Sequence, residues 1–392
     1  MMRAEWHAAP DTPRGDVARR FGRGALNLGL AASVAFALTG CGATDTADYY
    51  WQSASGQLDI IARAKPISEA IVESPDPVLK QRLARVQEIR AFASRELGLP
   101  DNASYTRYAD LGRPFVVWNV FAAPELSLKA RQWCFPVAGC VSYRGYFNEK
   151  DARDEAARLK ETGEDVWVSG VPAYSTLGYF DDPVLSTFIR WPETEVARMV
   201  FHELAHQVVY VKDDTQFNES FAATVEDAGV RRWLKAEGNV ELDAQFARNE
   251  RLRVAFRDLI QQTRTQLAAV YASDASEADK RAQKQKAFAQ MREGYERTKA
   301  GEPGLAGYDR WFAGAGNAGP NNASIVSVAL YTGQGPAFRA LLEEEGGDLK
   351  RFYHRVQMLA ARPKADRDAA LAAAARRVET AQARPDGSSA TR

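Results

Sequence analysis

The chain has 392 residues, with 51 Lys and Arg against 51 Asp and Glu and only four histidines, for a formal net charge of zero. That balance argues against a nucleic-acid surface, which needs a basic excess. Hydrophobic residues make up 45% of the chain, enough for the core of one large domain or of two closely packed ones.

In chain order, the N-terminus reads as a targeting segment. Arg19, Arg20 and Arg23 precede the apolar run Ala25–Leu38, which is shorter than the roughly 20 residues of a membrane-spanning helix. The run ends in Leu38-Thr39-Gly40-Cys41, which resembles a bacterial lipoprotein signal. The resemblance implies removal of residues 1–40, a lipid on Cys41 and a membrane-anchored place in the cell envelope, facing the periplasm. With Gly42 rather than Asp after the cysteine, it implies the outer membrane. An ordinary secretory signal followed by a chance cysteine is the alternative.

Residues 41–56 then form a tether, and 57–190 a lobe of helices and sheet. Residues 57–73 and 77–97 read as helices, ending at Gly98-Leu99-Pro100. Tyr105–Ala109 and Phe115–Phe121 read as strands across the turn Leu111-Gly112-Arg113-Pro114. Cys134 and Cys140 remain as a pair once Cys41 is set aside, with Pro136 and Gly139 between them to permit a tight turn. In an oxidising periplasm they form a disulfide; two free thiols are the alternative. Val141–Phe147 is a third strand, 149–162 a polar helix and Asp165–Ser169 another strand. Val171–Tyr179 is an edge strand or the loop beside it.

Residues 191–365 carry the chemistry. Trp191-Pro192-Glu193-Thr194-Glu195 starts a helix, with proline at the first helical position and acids in the first turn. Val196, Val200, Leu204, Val208 and Val211 recur at helical spacing and make its buried face. Off that stripe lies His202-Glu203-Leu204-Ala205-His206, an H-E-x-x-H motif. Residues four apart share a helix face, so both histidines can hold one metal ion. Glu203 lies on the flank of that face, where it can act on a water at the metal. After the polar break Lys212-Asp213-Asp214-Thr215, Asp214 or Thr215 caps a second helix striped by Phe217, Phe221, Val225 and Ala228. Glu219 and Glu226, seven apart, share a face beside that stripe, and a helical hairpin brings it against the histidines. Two His, one carboxylate and an open water position make a catalytic zinc site. Its ligands are His202, His206 and Glu219, with one Zn2+ per chain and Glu203 as general base. A solvated helix with an incidental histidine pair is the alternative.

Beyond the motif, 241–271 and 277–299 read as an antiparallel helical hairpin with a solvated charged face. Gly301–Gly319 is a long loop near the cleft. Asn321-Asn322 begin a helix carrying Val326, Val328 and Leu330, and Tyr331 ends it. A helix at 348–361 carries His354, and 366–392 is a frayed or disordered tail.

His202-Glu203-Leu204-Ala205-His206-Gln207 followed by Phe217-Asn218-Glu219-Ser220-Phe221-Ala222 resembles the gluzincin metallopeptidases. More narrowly it resembles the bacterial "putative aminopeptidase" family, with Tyr143-Arg144-Gly145-Tyr146-Phe147 and Asn321-Asn322-Ala323 in support. The resemblance implies a zinc-dependent peptidase with peptide substrates and the same three ligands and base. The fold class expected is α+β and zincin-like, predominantly helical, with a small mixed or antiparallel sheet before the zinc-binding helix. In such a lobe an edge strand pairs with an extended substrate. The chain departs from better-known gluzincins in two ways. Many carry an acid four residues after the ligand glutamate, where this chain has Ala223; Glu226, on the same face, takes its place behind a ligand histidine. The Gly-x-Met-Glu-Asn motif of large zinc aminopeptidases is missing. Tyr331 is the preferred donor to the oxyanion, ahead of Tyr210 and His354. Two rivals remain: a non-catalytic zinc lipoprotein acting as scaffold or assembly factor, against which Glu203 argues, and a zinc hydrolase for another envelope amide.

Overall fold

The computed structural model describes residues 40–135, 139–173, 175–314, 316 and 319–382, and their side chains except at 40–47, 331–332 and 378–382. The targeting segment, the Cys41 side chain and Tyr174 therefore lie outside the described residues. The chain divides into two compact units, Met1–Ala54 and Ser55–Arg392. What is described of the first is helical. Helix α1 (Gly40–Arg63) runs through the residues read as a tether, because no proline interrupts 43–65. Among the described residues no helix is long and apolar enough to cross a membrane.

In the second unit every described strand precedes Glu193, and helices fill most of the rest, an α+β arrangement. Pro66, which has no N–H to donate, breaks the single helix expected over 57–73. In its place stand β1 (Lys65–Pro66) and α2 (Ile67–Glu73). Helix α3 (Pro77–Arg95) starts at Asp76, whose carboxylate accepts from the backbone N of Val78 and Leu79, a strong start signal. Strand β2 (Arg107–Ala109) pairs antiparallel with β1 and parallel with β8 (Val184–Leu185).

A second sheet has β3 (Val117–Pro124) between β6 (Arg144–Tyr146) and β7 (Glu164–Val171), both antiparallel to it. Strand β3 is buried at every position from Val117 to Ala123, so both its faces are covered. Helices α4 (Glu149–Glu161) and α10 (Asn322–Thr332) pack on it. The expected strand Val141–Phe147 is split. Its first residue ends β5 (Gly139–Val141), which pairs with β4 (Trp133–Phe135), a strand not foreseen. Cys134 and Cys140 are register partners there and form a disulfide, so the cross-link holds this segment to β4 and leaves only Arg144–Tyr146 to pair with β3.

Helices α5 (Glu193–His206) and α6 (Thr215–Glu237) form the expected hairpin. Phe201, Phe217, Phe221 and Trp233 are fully buried between it and its neighbours. Gly229 permits the close approach: a Cβ there would stand 2.9 Å from the Phe201 ring and 2.8 Å from Leu97. Helices α11 (Gly335–Glu344) and α12 (Leu349–Ala360) close the core with Phe338 and Phe352. Residues from both expected lobes contribute to this one core.

Helices α7 (Val240–Ala272) and α8 (Glu277–Gly301) pair as expected and carry a cluster of their own around Phe256, Ile260, Met291 and Tyr295. The glycine-rich segment after them is not a plain loop. It holds a 3-10 turn (Pro303–Tyr308) and α9 (Asp309–Phe312). Tyr308 stacks on Phe256 at 4.1 Å and Phe312 on Tyr295 at 3.7 Å, and this aromatic burial outweighs the flexibility of the glycines. The expected frayed tail likewise begins as a docked helix, α13 (Lys364–Gln382), with Leu371 and Ala374 buried. Its alanines leave room for close packing, and Arg367 bonds Asp214 at 2.8 Å.

Asn322 fixes the start of α10. It is fully buried, and its amide Nδ2 donates to the carbonyls of Pro124, Glu125 and Ser127 at 2.8–3.1 Å, while Oδ1 accepts from the Tyr271 hydroxyl at 2.8 Å. Asn322→Ala strands these groups without partners and is expected to lower the unfolding free energy by about 3 kcal/mol. Denaturant titration reads it, and an unchanged midpoint would contradict the role.

Candidate metal centre

The buried stripe Val196, Val200 and Leu204 anchors α5 to the core and leaves Arg198, His202 and His206, four apart, on another face. Asp214 caps α6 by accepting from Phe217 N at 3.4 Å, which places Glu219 in its second turn. The linker between the helices is pinned. Asn218 accepts from Val211 N at 2.7 Å and donates to Val211 O at 2.8 Å. The disulfide hairpin leans on the same linker, with Cys140 N donating to Asp213 Oδ1. Gly139 has a positive φ, and a Cβ there would collide with Asp213.

The hairpin brings three donor atoms together. His202 Nε2 lies 3.2 Å from His206 Nε2 and 3.3 Å from Glu219 Oε2, and His206 Nε2 lies 3.7 Å from Glu219 Oε2. A tetrahedral zinc with bonds of about 2.0–2.1 Å has ligand–ligand edges of roughly 3.3–3.4 Å. The donor triangle therefore fits one such ion, and the residues are those expected.

Behind the ligands stands a charged chain. His202 Nδ1 bonds Glu226 Oε2 at 2.7 Å, which leaves the Nε2 lone pair facing the other ligands. Arg198 bonds Glu226 and also Glu250, the latter at 2.7 Å. Arg253 bonds Glu250 at 2.7 Å and Glu195 at 3.0 Å. Glu226 is thus the acid hydrogen-bonded to His202. His206 Nδ1 is buried without a hydrogen-bond partner among the described residues.

The electrostatics follow from this burial. Burial drives the Glu203 carboxyl up to about 8, with the charges of Glu219, Asp182 and Glu226 adding and His202 opposing. Burial works against ionisation of Glu226 too, but Arg198 and His202 overcome it and hold that carboxyl near 2. Burial lowers His206 to about 4 despite Glu219. At His202 burial is outweighed by the hydrogen bonds of Glu219 and Glu226, so the ring is raised well above its ordinary value. Two imidazoles and one carboxylate are a donor set that suits a divalent cation.

Of the donor candidates, the Tyr210 phenol is raised by burial and then by the charges of Glu219 and Asp213. Tyr331 ends α10, and its side chain lies outside the described residues. The chain just after it reaches α6, where Gln334 N donates to Ser220 Oγ at 3.2 Å. His354 is exposed on α12 beside Lys350, Arg355 and Met358, in a surface depression, and is not brought to the ligands. Sequence reasoning missed Arg198, Glu250 and Arg253. One signal for Arg198 existed: a cation four residues before His202, on the ligand face.

A buried His, His and Glu triangle on a helical hairpin, with the buried carboxyl of Glu203 next to His202 in the chain, defines a candidate metal centre in an α+β fold. The family model described as "putative aminopeptidase" matches residues 48–371, and the chain belongs to that family. The chain matches no curated protein and no solved structure.

Glu226→Ala is expected to weaken zinc binding about 10–100-fold, since it frees the ring of His202 while sparing every ligand. Competition with a chromogenic chelator measures this. Wild-type affinity in that variant would remove the supporting role.

Proposed function

We propose that this protein is a zinc metallopeptidase of the bacterial cell envelope, with a zincin-like catalytic lobe. The observation that carries this reading is the donor triangle of His202, His206 and Glu219 with Glu203 buried at its side. A purely structural site has no use for the Glu203 carboxyl, whose burial is costly, so the scaffold reading is the weaker one. Family membership supports peptide substrates.

Bound at this centre, zinc supplies Lewis acidity. Glu203 accepts the proton of the attacking water and passes it to the leaving amine; a cation held by the neighbouring ligands would favour its ionised form against the burial that raises it. Glu226 and Arg198 hold the ring of His202. Tyr210 is the first candidate to donate to the oxyanion, because it lies within reach of the charge of Glu219. Tyr331 remains the second.

Glu203→Gln is expected to retain zinc and fold but to lose at least about 100-fold in turnover of a mixed peptide pool. Turnover near that of wild type would sink the mechanism. Activity that survives both this change and chelation would sink the metallopeptidase reading.

The place in the envelope rests on Leu38-Thr39-Gly40-Cys41 and is supported by the Cys134–Cys140 disulfide, which suits an oxidising compartment. We infer a lipid on Cys41 that anchors the protein to the outer membrane, facing the periplasm. Mass spectrometry of the mature N-terminus is expected to find a diacylglyceryl-modified Cys41, and an unmodified peptide reading through residue 41 would refute it.

A further inference from the structure

The linker between the two ligand helices carries a contact that thiol chemistry can break. Asp213 stands in that linker with a φ of +67°, a left-handed conformation that residues other than glycine hold only when their surroundings fix it. Its Oδ1 accepts from Cys140 N. The approach is close, since a Cβ on Gly139 would lie 2.5 Å from Lys212 Cγ and 2.9 Å from Asp213 N. The next residue, Asp214, caps α6, and the ligand Glu219 follows in the second turn of that helix. The hairpin of β4 and β5 thus presses on the segment that sets where Glu219 stands.

That hairpin has little else to hold its tip. Among the described residues its strands of three residues pair only with each other, and an isolated two-stranded hairpin is marginal in water. Its base is fastened: Arg131 N donates to Ala122 O of β3 at 2.8 Å, and Gln132 Nε2 donates to Ser142 Oγ at 2.8 Å. Toward the tip the two strands are joined by the disulfide, one register pair before Phe135 and Gly139. Cys134 is exposed and Cys140 half-buried, so Cys134 is the sulfur that a thiol from outside can reach.

Resting on the reading of His202, His206 and Glu219 as zinc ligands, we propose that the Cys134–Cys140 disulfide is a redox switch on the metal centre, opened by a dithiol of the kind a thiol–disulfide oxidoreductase carries. One thiolate of the dithiol attacks Cys134 Sγ, the S–S bond breaks, and Cys140 leaves as a thiolate and takes up a proton. The second thiol of the dithiol, as its thiolate, then displaces Cys134 from the mixed disulfide. The protein gains two electrons and two protons as two thiols, and the dithiol becomes a disulfide. Without the cross-link the tip of the hairpin parts and Cys140 N leaves Asp213. The linker gains freedom that must be lost again whenever Glu219 closes on an ion. Asn218 still clasps Val211, and Arg367 and Lys364 still hold Asp214, so reduction weakens zinc binding without abolishing it.

The test uses the full chain, with dithiothreitol as the dithiol, removed by desalting under argon before zinc is titrated against a chromogenic chelator. Thiol labelling gives the redox state, and hydrogen exchange of the metal-free protein reads amides 212–218. Two thiols are expected to appear without denaturant. Zinc affinity is expected to fall about 10-fold, the effect of about one hydrogen bond, and the linker amides to exchange about 10-fold faster while those of β3 keep their protection. The double variant Cys134→Ser/Cys140→Ser is expected to match reduced wild type, which separates the lost cross-link from any binding of zinc by the freed thiols. Asp213→Gly keeps the positive φ and removes the acceptor. It is expected to bind zinc about 10-fold more weakly with the disulfide intact, and to change by less than about 2-fold on reduction. Unchanged affinity in reduced wild type overturns the proposal, as does a disulfide that resists dithiothreitol in the folded protein. A loss on reduction as large in Asp213→Gly as in wild type also overturns it, because the contact is then not the route. Faster exchange in β3 as well overturns it in favour of a bond that only holds the fold. If oxidised wild type binds no zinc, the reading of the metal centre itself fails, and this proposal with it.

Discussion

The candidate centre depends on one largely buried ion pair, Glu226 with Arg198. Glu226 must be ionised to hold the Nδ1 proton of His202, and a lone carboxylate at that depth would take up a proton instead. Arg198 prevents this, and its own burial is compensated by Glu250 as well as Glu226. Arg253 then ties Glu250 to Glu195 in the first turn of the ligand helix. The charges alternate along this chain, so removing one member leaves its neighbours uncompensated, at about 3–5 kcal/mol for a buried partner. The orientation of one imidazole is thus set by a network that reaches from α5 through α6 to α7.

The rest of the fold serves to hold two helices in register. Their linker is short, and distant segments fix it. The disulfide hairpin approaches it from before the motif, through Cys140 and Gly139. Asp214 receives Arg367 and Lys364 from α13 near the end of the chain. Asn218, next to Glu219, clasps Val211 with both ends of its amide. Backbone fixed this well lets a side chain only a turn long reach the ion without searching, which is what preorganisation of a metal site requires. It also explains why α13, in so alanine-rich a stretch, is docked: its two cations answer a buried aspartate at the cap of α6.

Much of the centre was legible because its rules are local. A spacing of four puts two histidines on one face, a spacing of seven aligns Glu219 with Glu226, and a polar break between two striped helices gives a hairpin. What stayed hidden depends on contacts far apart in sequence. Glu250 lies 52 residues from Arg198, and no local pattern couples them. Strand β4 was missed because three residues carry too little periodicity, and β5 and β6 were merged because alternation runs through both. Pro66 was legible in principle, but the apolar spacing on either side of it masked the break. The glycine-rich segment was misread for the opposite reason: its composition promised flexibility, whereas Tyr308, Trp311 and Phe312 bury against the α7–α8 hairpin.

These contrasts give the charged residues of the interior their meaning. Burying a carboxylate is tolerated when the chain brings a cation to it, and the result is then a fastening. Glu155 and Asp214 are of this kind, each tying its own helix to a distant element or to its next turn. Where the chain brings no cation, hydrogen-bond donors or the uptake of a proton relieve the cost. Asp182 is met by the backbone N of Thr176 and by the side chains of Thr176 and Ser175, and Glu203 lies next to the ligand His202. The interior therefore separates the carboxylates that cations or hydrogen-bond donors fasten from Glu203, which is buried next to the ligand His202.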